Sequence, residues 1–273
     1  MRVLANYYQQ FDADFNLDVQ AEGYGGWKKA EIEISPQHTA VVLMHAWDCG
    51  TRQQYPGWHR VADFIPRATK ICETVVPNLL AAVRASPLRL FHVVAPGEYY
   101  KHLPGYDTAV QHALPEPPRP PQVDGDPAIE KLYEFKRTHC FPGPHNVDDI
   151  NRGFANLRYP KVAEPQGDEG VVESGEQLYG LCKKYGVNHL IYCGFAINWC
   201  IFYSAGGMLE MERHGCMCSI VRDATTAVEN KETARHEWGK ETALWRVALQ
   251  HGFVFDSEDL IVAFSAISKG RTR

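Results

Sequence analysis

An apolar run that breaks at a glycine and is followed six residues later by a cysteine constrains this chain more than any other feature. The segment is Leu190-Ile191-Tyr192-Cys193-Gly194-Phe195-Ala196-Ile197-Asn198-Trp199-Cys200. Residues 187–193 read as a buried strand, Gly194 lets the backbone turn without a Cβ penalty, and residues from Asn198 onward carry a helical apolar pattern. Cys200 is thereby placed at a strand-to-helix corner. Unpaired N–H groups and the positive end of a helix favour a thiolate there and can hold an oxyanion. The opposing reading makes Cys200 a small buried hydrophobe, as most unpaired cysteines are.

The flanking chain alternates strand and helix patterns. Residues 39–45 and 88–94 read as the first and second core strands, with His92 a core histidine inside the second. Between them, residues 60–86 carry apolar side chains at three- and four-residue steps and read as one helix bent at Pro77. Ser174 and Gln177 form a capping box, and Leu178, Leu181, Cys182 and Tyr185 an apolar face. Gly186 is the stop before the Cys200 strand. A strand at 216–221, a helix at 231–250, a short strand at 253–255 and a last helix started by Ser257 complete the pattern. Asp223 follows its strand at the same edge as His45 and is expected to hydrogen-bond loop amides.

This alternation predicts an α/β fold, a three-layer doubly wound parallel sheet with helices on both faces and an N-terminal β extension. Residues 1–38 form the extension, a hairpin-like arm with strands around 15–19 and 30–34 that could pack on a neighbouring subunit, and residues 39–273 form the main domain. Residues 96–146 read as an insertion or lid. They contain an extended proline-rich stretch at 114–121 and a helix at 127–137.

Composition narrows the function classes. The 273 residues suffice for one large domain, and a net charge of -5 provides no positive excess for nucleic acid. No apolar span approaches the ~20 residues that cross a bilayer and the N-terminus lacks a signal pattern, so the expectation is a cytosolic protein without membrane partners. The eight cysteines are scattered through apolar segments and read as reduced thiols. Cys216 and Cys218 share a strand face and could share a metal, but no second pair completes a zinc site, and packing is the simpler role. The glycines at 23, 25 and 26 do not form a phosphate loop, and no cofactor motif is present.

Residues 39–45, the corner from Gly194 to Cys200, and the run from His214 to Ala224 resemble, in order and spacing, the isochorismatase-like cysteine hydrolases. The resemblance spans residue 39 to the C-terminus, with residues 96–146 matching poorly. It implies that fold, a small-molecule substrate, a homo-oligomer, and a triad of aspartate, lysine and cysteine. Only Cys200 matches that triad. His45 stands where the aspartate is expected, and Glu173 or Ser174 where the lysine is expected, with Lys101, His102 and Lys136 as possible stand-ins for the lysine. Ala196, Ile197 and Trp199 match the corner that holds the oxyanion, and the resemblance implies a cis Ala196–Ile197 peptide.

A neutral His45 at the end of a central strand could take the Cys200 proton, with Asp48 orienting it. Alternatively, His45 is a hydrogen-bonded core histidine or a ligand contact. Trp47 and Trp58 could wall a pocket for a planar substrate. The leading expectation is a cysteine hydrolase of a small amide or related C–N bond, acting through a thioester acyl-enzyme. The resemblance implies nicotinamide-like, carbamoyl or maleamate-like compounds. The alternatives are a metabolite-binding relative with a decayed triad and a metal-assisted amidase using Asp48, His59 and His45.

Overall fold

The computed structural model describes residues 1–116, 118 and 120–269. The chain opens with strands β1 (Arg2–Gln9), β2 (Gly26–Glu33) and β3 (Thr39–Met44). Helices α1 (Pro56–Val61), α2 (Ile65–Thr74) and α3 (Val76–Arg84) lead to β4 (Arg89–Val93), and α4 (Pro104–His112), α5 (Pro127–His139) and α6 (Val147–Ala155) lead to β5 (Gly170–Val172). Then come α7 (Gly175–Tyr185), β6 (His189–Phe195), a single helical turn at Ile197–Ile201, α8 (Met208–Arg213) and β7 (Met217–Thr226). The chain closes with α9 (Trp238–Arg246), β8 (Val254–Phe255) and α10 (Ser257–Lys269). Among the described residues no helix is long and apolar enough to cross a membrane.

The eight strands among the described residues form one sheet in the order β2-β1-β8-β7-β6-β3-β4-β5. Neighbours from β8 to β5 run parallel, whereas β1 is antiparallel to both β2 and β8. The expected α/β architecture is present, and the N-terminal hairpin makes its sheet mixed rather than wholly parallel. Side chains along β3 alternate between two cores. Val42 and Met44 join Val93, Leu178, Leu190 and Tyr192 on one face, and Val41 and Leu43 join Leu79, Leu80, Leu90 and Phe264 on the other. With helices on both sides, β3 is buried at every residue, which explains its unbroken apolar run.

Three expectations change. The first strand is β1, not residues 15–19, which form turns and bends, and it runs in register from Arg2 opposite Glu33 to Gln9 opposite Gly26. The hairpin it forms with β2 is joined to the main sheet through β8. Asn6 Nδ2 donates to the Val254 carbonyl at 3.0 Å and to Asp256 at 3.1 Å, and Lys29 pairs with Asp256 and Asp259. The helix expected over 60–86 is divided among α1, α2 and α3. Pro66 and Pro77 each sit in the first turn of a new helix, where a missing N–H leaves no bond unmade, so Pro77 starts a helix rather than bending one. The helix expected at 231–250 begins only at Trp238, after turns through 231–237. There the Glu229 carboxylate accepts from the amides of Gly239 at 2.9 Å and Lys240 at 3.0 Å. Between α4 and α5 the described residues have no regular structure, while Pro117 and Arg119 of the proline-rich stretch lie outside the described residues.

The helix entering β6 is capped at both ends. Ser174 Oγ accepts from the Gln177 amide at 3.2 Å, and Gly186 closes the helix in the left-handed region at φ 69°. The Gln177 side chain reaches one residue further out than in a capping box, accepting from the Glu173 amide at 2.7 Å. Replacing Ser174 with alanine is expected to cost about 1 kcal/mol, read as a lowered urea midpoint at unchanged slope.

Candidate active site at the carboxyl edge of the sheet

The chain leaves β3 for β4 and β5 on one side, then returns to β6 on the other and continues to β7 and β8. The ends of β3 and β6 therefore form the switch point of the sheet, where open α/β folds leave a crevice for ligands. Met44 is paired with Gly194 at that point, so His45 and the Cys200 corner leave the sheet side by side. Gly194 has φ 114°, and a Cβ on it would lie 1.9 Å from the Met44 carbonyl oxygen. The glycine is thus required twice, by its backbone angle and by the approach of β3.

Beyond Gly194 the cis peptide is Phe195–Ala196, one bond before the position implied by the family resemblance. The Ala196 carbonyl accepts from the amides of both Trp199 at 3.2 Å and Ile201 at 3.1 Å, which draws residues 197–201 into one wide turn. The Asn198 side chain fastens this turn to the next segment, donating to the Val228 carbonyl at 2.8 Å and accepting from its amide at 2.9 Å. Cys200 is a free, half-buried thiol packed against the core that contains Ile197 and Ile201. Ile197 is fully buried and Trp199 is 43% exposed. The Trp199 amide is already engaged by Ala196, so it is not a free oxyanion donor. The amides of Ile197 and Asn198, which open the turn, have no acceptor among the described residues.

His45 adopts φ 51°, an uncommon backbone state for a residue with a Cβ, and its amide donates to the Val93 carbonyl at 2.9 Å. The ring is 8% exposed and stacks on Trp47 with centroids 4.5 Å apart. Burial lowers its pKa from 6.5 to about 4, against a weaker opposite pull from the Val94 backbone, so the imidazole is neutral at pH 7. Nδ1 has no hydrogen-bond partner among the described residues.

Asp48 does not orient this ring. Its carboxylate receives Arg158 Nε at 2.8 Å and the Gly50 amide at 3.0 Å. Trp58 is not a pocket wall. It is 5% exposed, lies under Phe154 at 5.2 Å, and leaves no room for a Cβ on Gly153. Trp47 is nearer the edge, between His45 and Phe154. His59 Nε2 faces the Cys49 carbonyl at 3.4 Å, and no group of three or more His, Cys, Asp or Glu among the described residues is placed to hold a metal ion. His92 is a buried partner of Glu169 at 2.9 Å, and Asp223 accepts from the Ser257 amide at 2.9 Å.

At the position aligned with the family lysine, Glu173 follows β5 at the same edge. Its two oxygens accept from the hydroxyls of Tyr100 and of Tyr106, the latter at 2.5 Å. The bond to Glu173, together with burial, pushes Tyr106 up to about 12. Sequence reasoning missed both tyrosines, and the available signal was their place in the segment just after β4. Ser174 is spent as the α7 cap. Lys101 pairs with Glu98 at 2.6 Å, and His102 and Lys136 are exposed.

No family model matches the chain, and no curated protein matches it. Among solved structures the chain is similar to a cysteine hydrolase from Pseudomonas syringae pv. phaseolicola, at 15% identity and TM-score 0.49, over 86% of this chain and 95% of that one. It is also similar to an isochorismatase family protein from Burkholderia thailandensis, at 14% identity and TM-score 0.48, over 84% and 96%. A third is N-carbamoylsarcosine amidase from Thermoplasma acidophilum, at 14% identity and TM-score 0.42, over 80% and 96%.

Two outcomes follow from the geometry. Gly194→Ala is expected to lose about 3 kcal/mol of stability, seen as a lowered melting temperature, because strain and overlap act together. Since His45 is held near 4 in the fold against 6.5 in the free residue, the unfolded chain takes the proton first as pH falls. Its contribution is full above pH 6.5 and is lost toward pH 4, at most about 3 kcal/mol. Urea midpoints at neutral and acid pH should fall less steeply in His45→Asn than in the parent.

Proposed function

We propose that the protein is a cysteine hydrolase of small amides, with Cys200 as nucleophile and neutral His45 as base. The observation that supports this reading is the Met44–Gly194 pairing, beyond which β3 runs into His45 and β6, past Phe195, into the turn that carries Cys200. Cys200 Sγ attacks the carbonyl carbon while its proton passes to His45. The C–N bond then breaks and the amine leaves with that proton; water attacks the thioester as His45 again accepts a proton, and the C–S bond breaks, releasing the acid while that proton returns to Cys200 Sγ. The Ile197 and Asn198 amides are the candidate oxyanion donors, in place of Trp199. Trp47, stacked on the base, supports a planar substrate beside the thiol.

The low basicity of His45 has a mechanistic consequence. A buried imidazolium is costly, so His45 rests neutral and takes the proton only during attack. A binding protein without turnover is the second reading. It is favoured by the commitment of Asp48 to Arg158 and of Glu173 to two tyrosines, which leaves neither carboxylate to assist His45. Release of amine from a panel of small primary amides distinguishes the two, since a binding relative binds them without turnover.

Cys200→Ala should abolish turnover on a panel of small primary amides while the circular dichroism stays unchanged. His45→Asn should lower kcat/KM roughly 100-fold. The acid limb of kcat/KM in the parent should lie near 4, because below that pH His45 already carries a proton and cannot accept another. Full activity in Cys200→Ala would sink the proposal.

A further inference from the structure

We propose that Cys140 and Cys200 form a peroxide-responsive thiol pair in which Cys200 is oxidised and Cys140 closes a disulfide on it. Of the eight cysteines, five are buried, and Cys49 is half-buried with its thiol pushed up to about 12 by burial. Cys140 is exposed and Cys200 half-buried, so both of these thiols have solvent access. One aromatic contact joins their segments. The Phe141 ring meets Trp199 edge-on with centroids 5.5 Å apart, and the two cysteines are the chain neighbours of those two rings.

The segment bearing Cys140 lies at the surface. Cys140 and Phe141 end α5, their amides donating to the Lys136 carbonyl at 2.9 and 3.2 Å. The helix buries none of its residues, and Leu132, Tyr133 and Phe135 are each more than half exposed. A disulfide needs the two Cα atoms within about 7 Å, and moving the end of α5 toward the Trp199 turn displaces no packed interior.

The chemistry requires a hydroperoxide as oxidant. Cys200 sulfur attacks the peroxide O–O bond, forming an S–OH group and releasing the peroxide remainder as an alcohol, or as water from hydrogen peroxide. Cys140 sulfur then attacks the Cys200 sulfur, the S–S bond forms, and the hydroxyl departs with the Cys140 proton as water. A thiol reductant reverses the two-electron step. Closure removes the nucleophile from substrate, draws the apolar end of α5 over it, and protects Cys200 from irreversible oxidation.

This inference shares with the proposed hydrolysis only the requirement that the Cys200 thiol be reactive. Full-length parent, Cys140→Ser and Cys200→Ala proteins are treated with hydrogen peroxide and mapped as peptides without reduction. A Cys140–Cys200 peptide from monomeric protein is expected in the parent and in neither variant. In Cys140→Ser, irreversible oxidation of Cys200 should rise roughly tenfold, while turnover of the reduced protein is unchanged. Linkage of Cys200 to another cysteine, linkage between chains, or equal irreversible oxidation in parent and Cys140→Ser would overturn the pair. A linked peptide without amide turnover refutes the hydrolase alone, and turnover without a linked peptide refutes the pair alone.

Discussion

The approach of β3 to β6 at Met44 and Gly194 is the constraint on which the rest of the structure depends. A parallel sheet that winds first one way and then the other must open where the winding reverses, and here the two strands at the opening are in contact through a residue that admits no side chain. The position is reinforced from β7, where Thr225 Oγ1 donates to the Gly194 carbonyl at 2.7 Å. Asn198 and Val228 then fix the turn that carries Cys200. The position of the turn bearing Cys200 is thus set by contacts through Gly194, Thr225 and Asn198, independently of His45.

The protonation of His45 is governed by burial rather than by charge pairing. A carboxylate beside His45 would hold the imidazolium, but the nearest candidate in sequence, Asp48, is turned to Arg158. The ring lies against an indole instead, and desolvation decides its protonation. At the other end of the same edge a carboxylate is present but occupied, since Glu173 is held by two phenols. The edge of the sheet is consequently dominated by aromatic and neutral groups.

Much of this was legible from local pattern. β3, β4 and β6 stand where apolar runs indicated them, and both caps of α7 follow from Ser174 and Gly186, because strand burial and helix ends depend on near neighbours. What escaped depends on distant partners. β1 is a strand because it finds Gly26–Glu33 in register, and its own alternation of aromatic and polar residues does not announce that. Asp48 looked free because its partner Arg158 lies more than a hundred residues away. Trp58 looked like a wall because the sequence does not show that Gly153 opens a space for it. The divided helix is different, since Pro66 and Pro77 were visible and their preference for a first turn was the better reading.

The hairpin of β1 and β2 also settles how the sheet ends. At one border it replaces the two-residue β8 with β2, whose Lys28, Lys29, Glu31 and Glu33 are exposed and charged. At the opposite border stands β5, only three residues long. Charged and very short borders are the two common defences against strand-to-strand aggregation. Copies of this chain meeting in a crowded solution therefore find no flat ladder to extend, and self-association by sheet growth is discouraged from both directions.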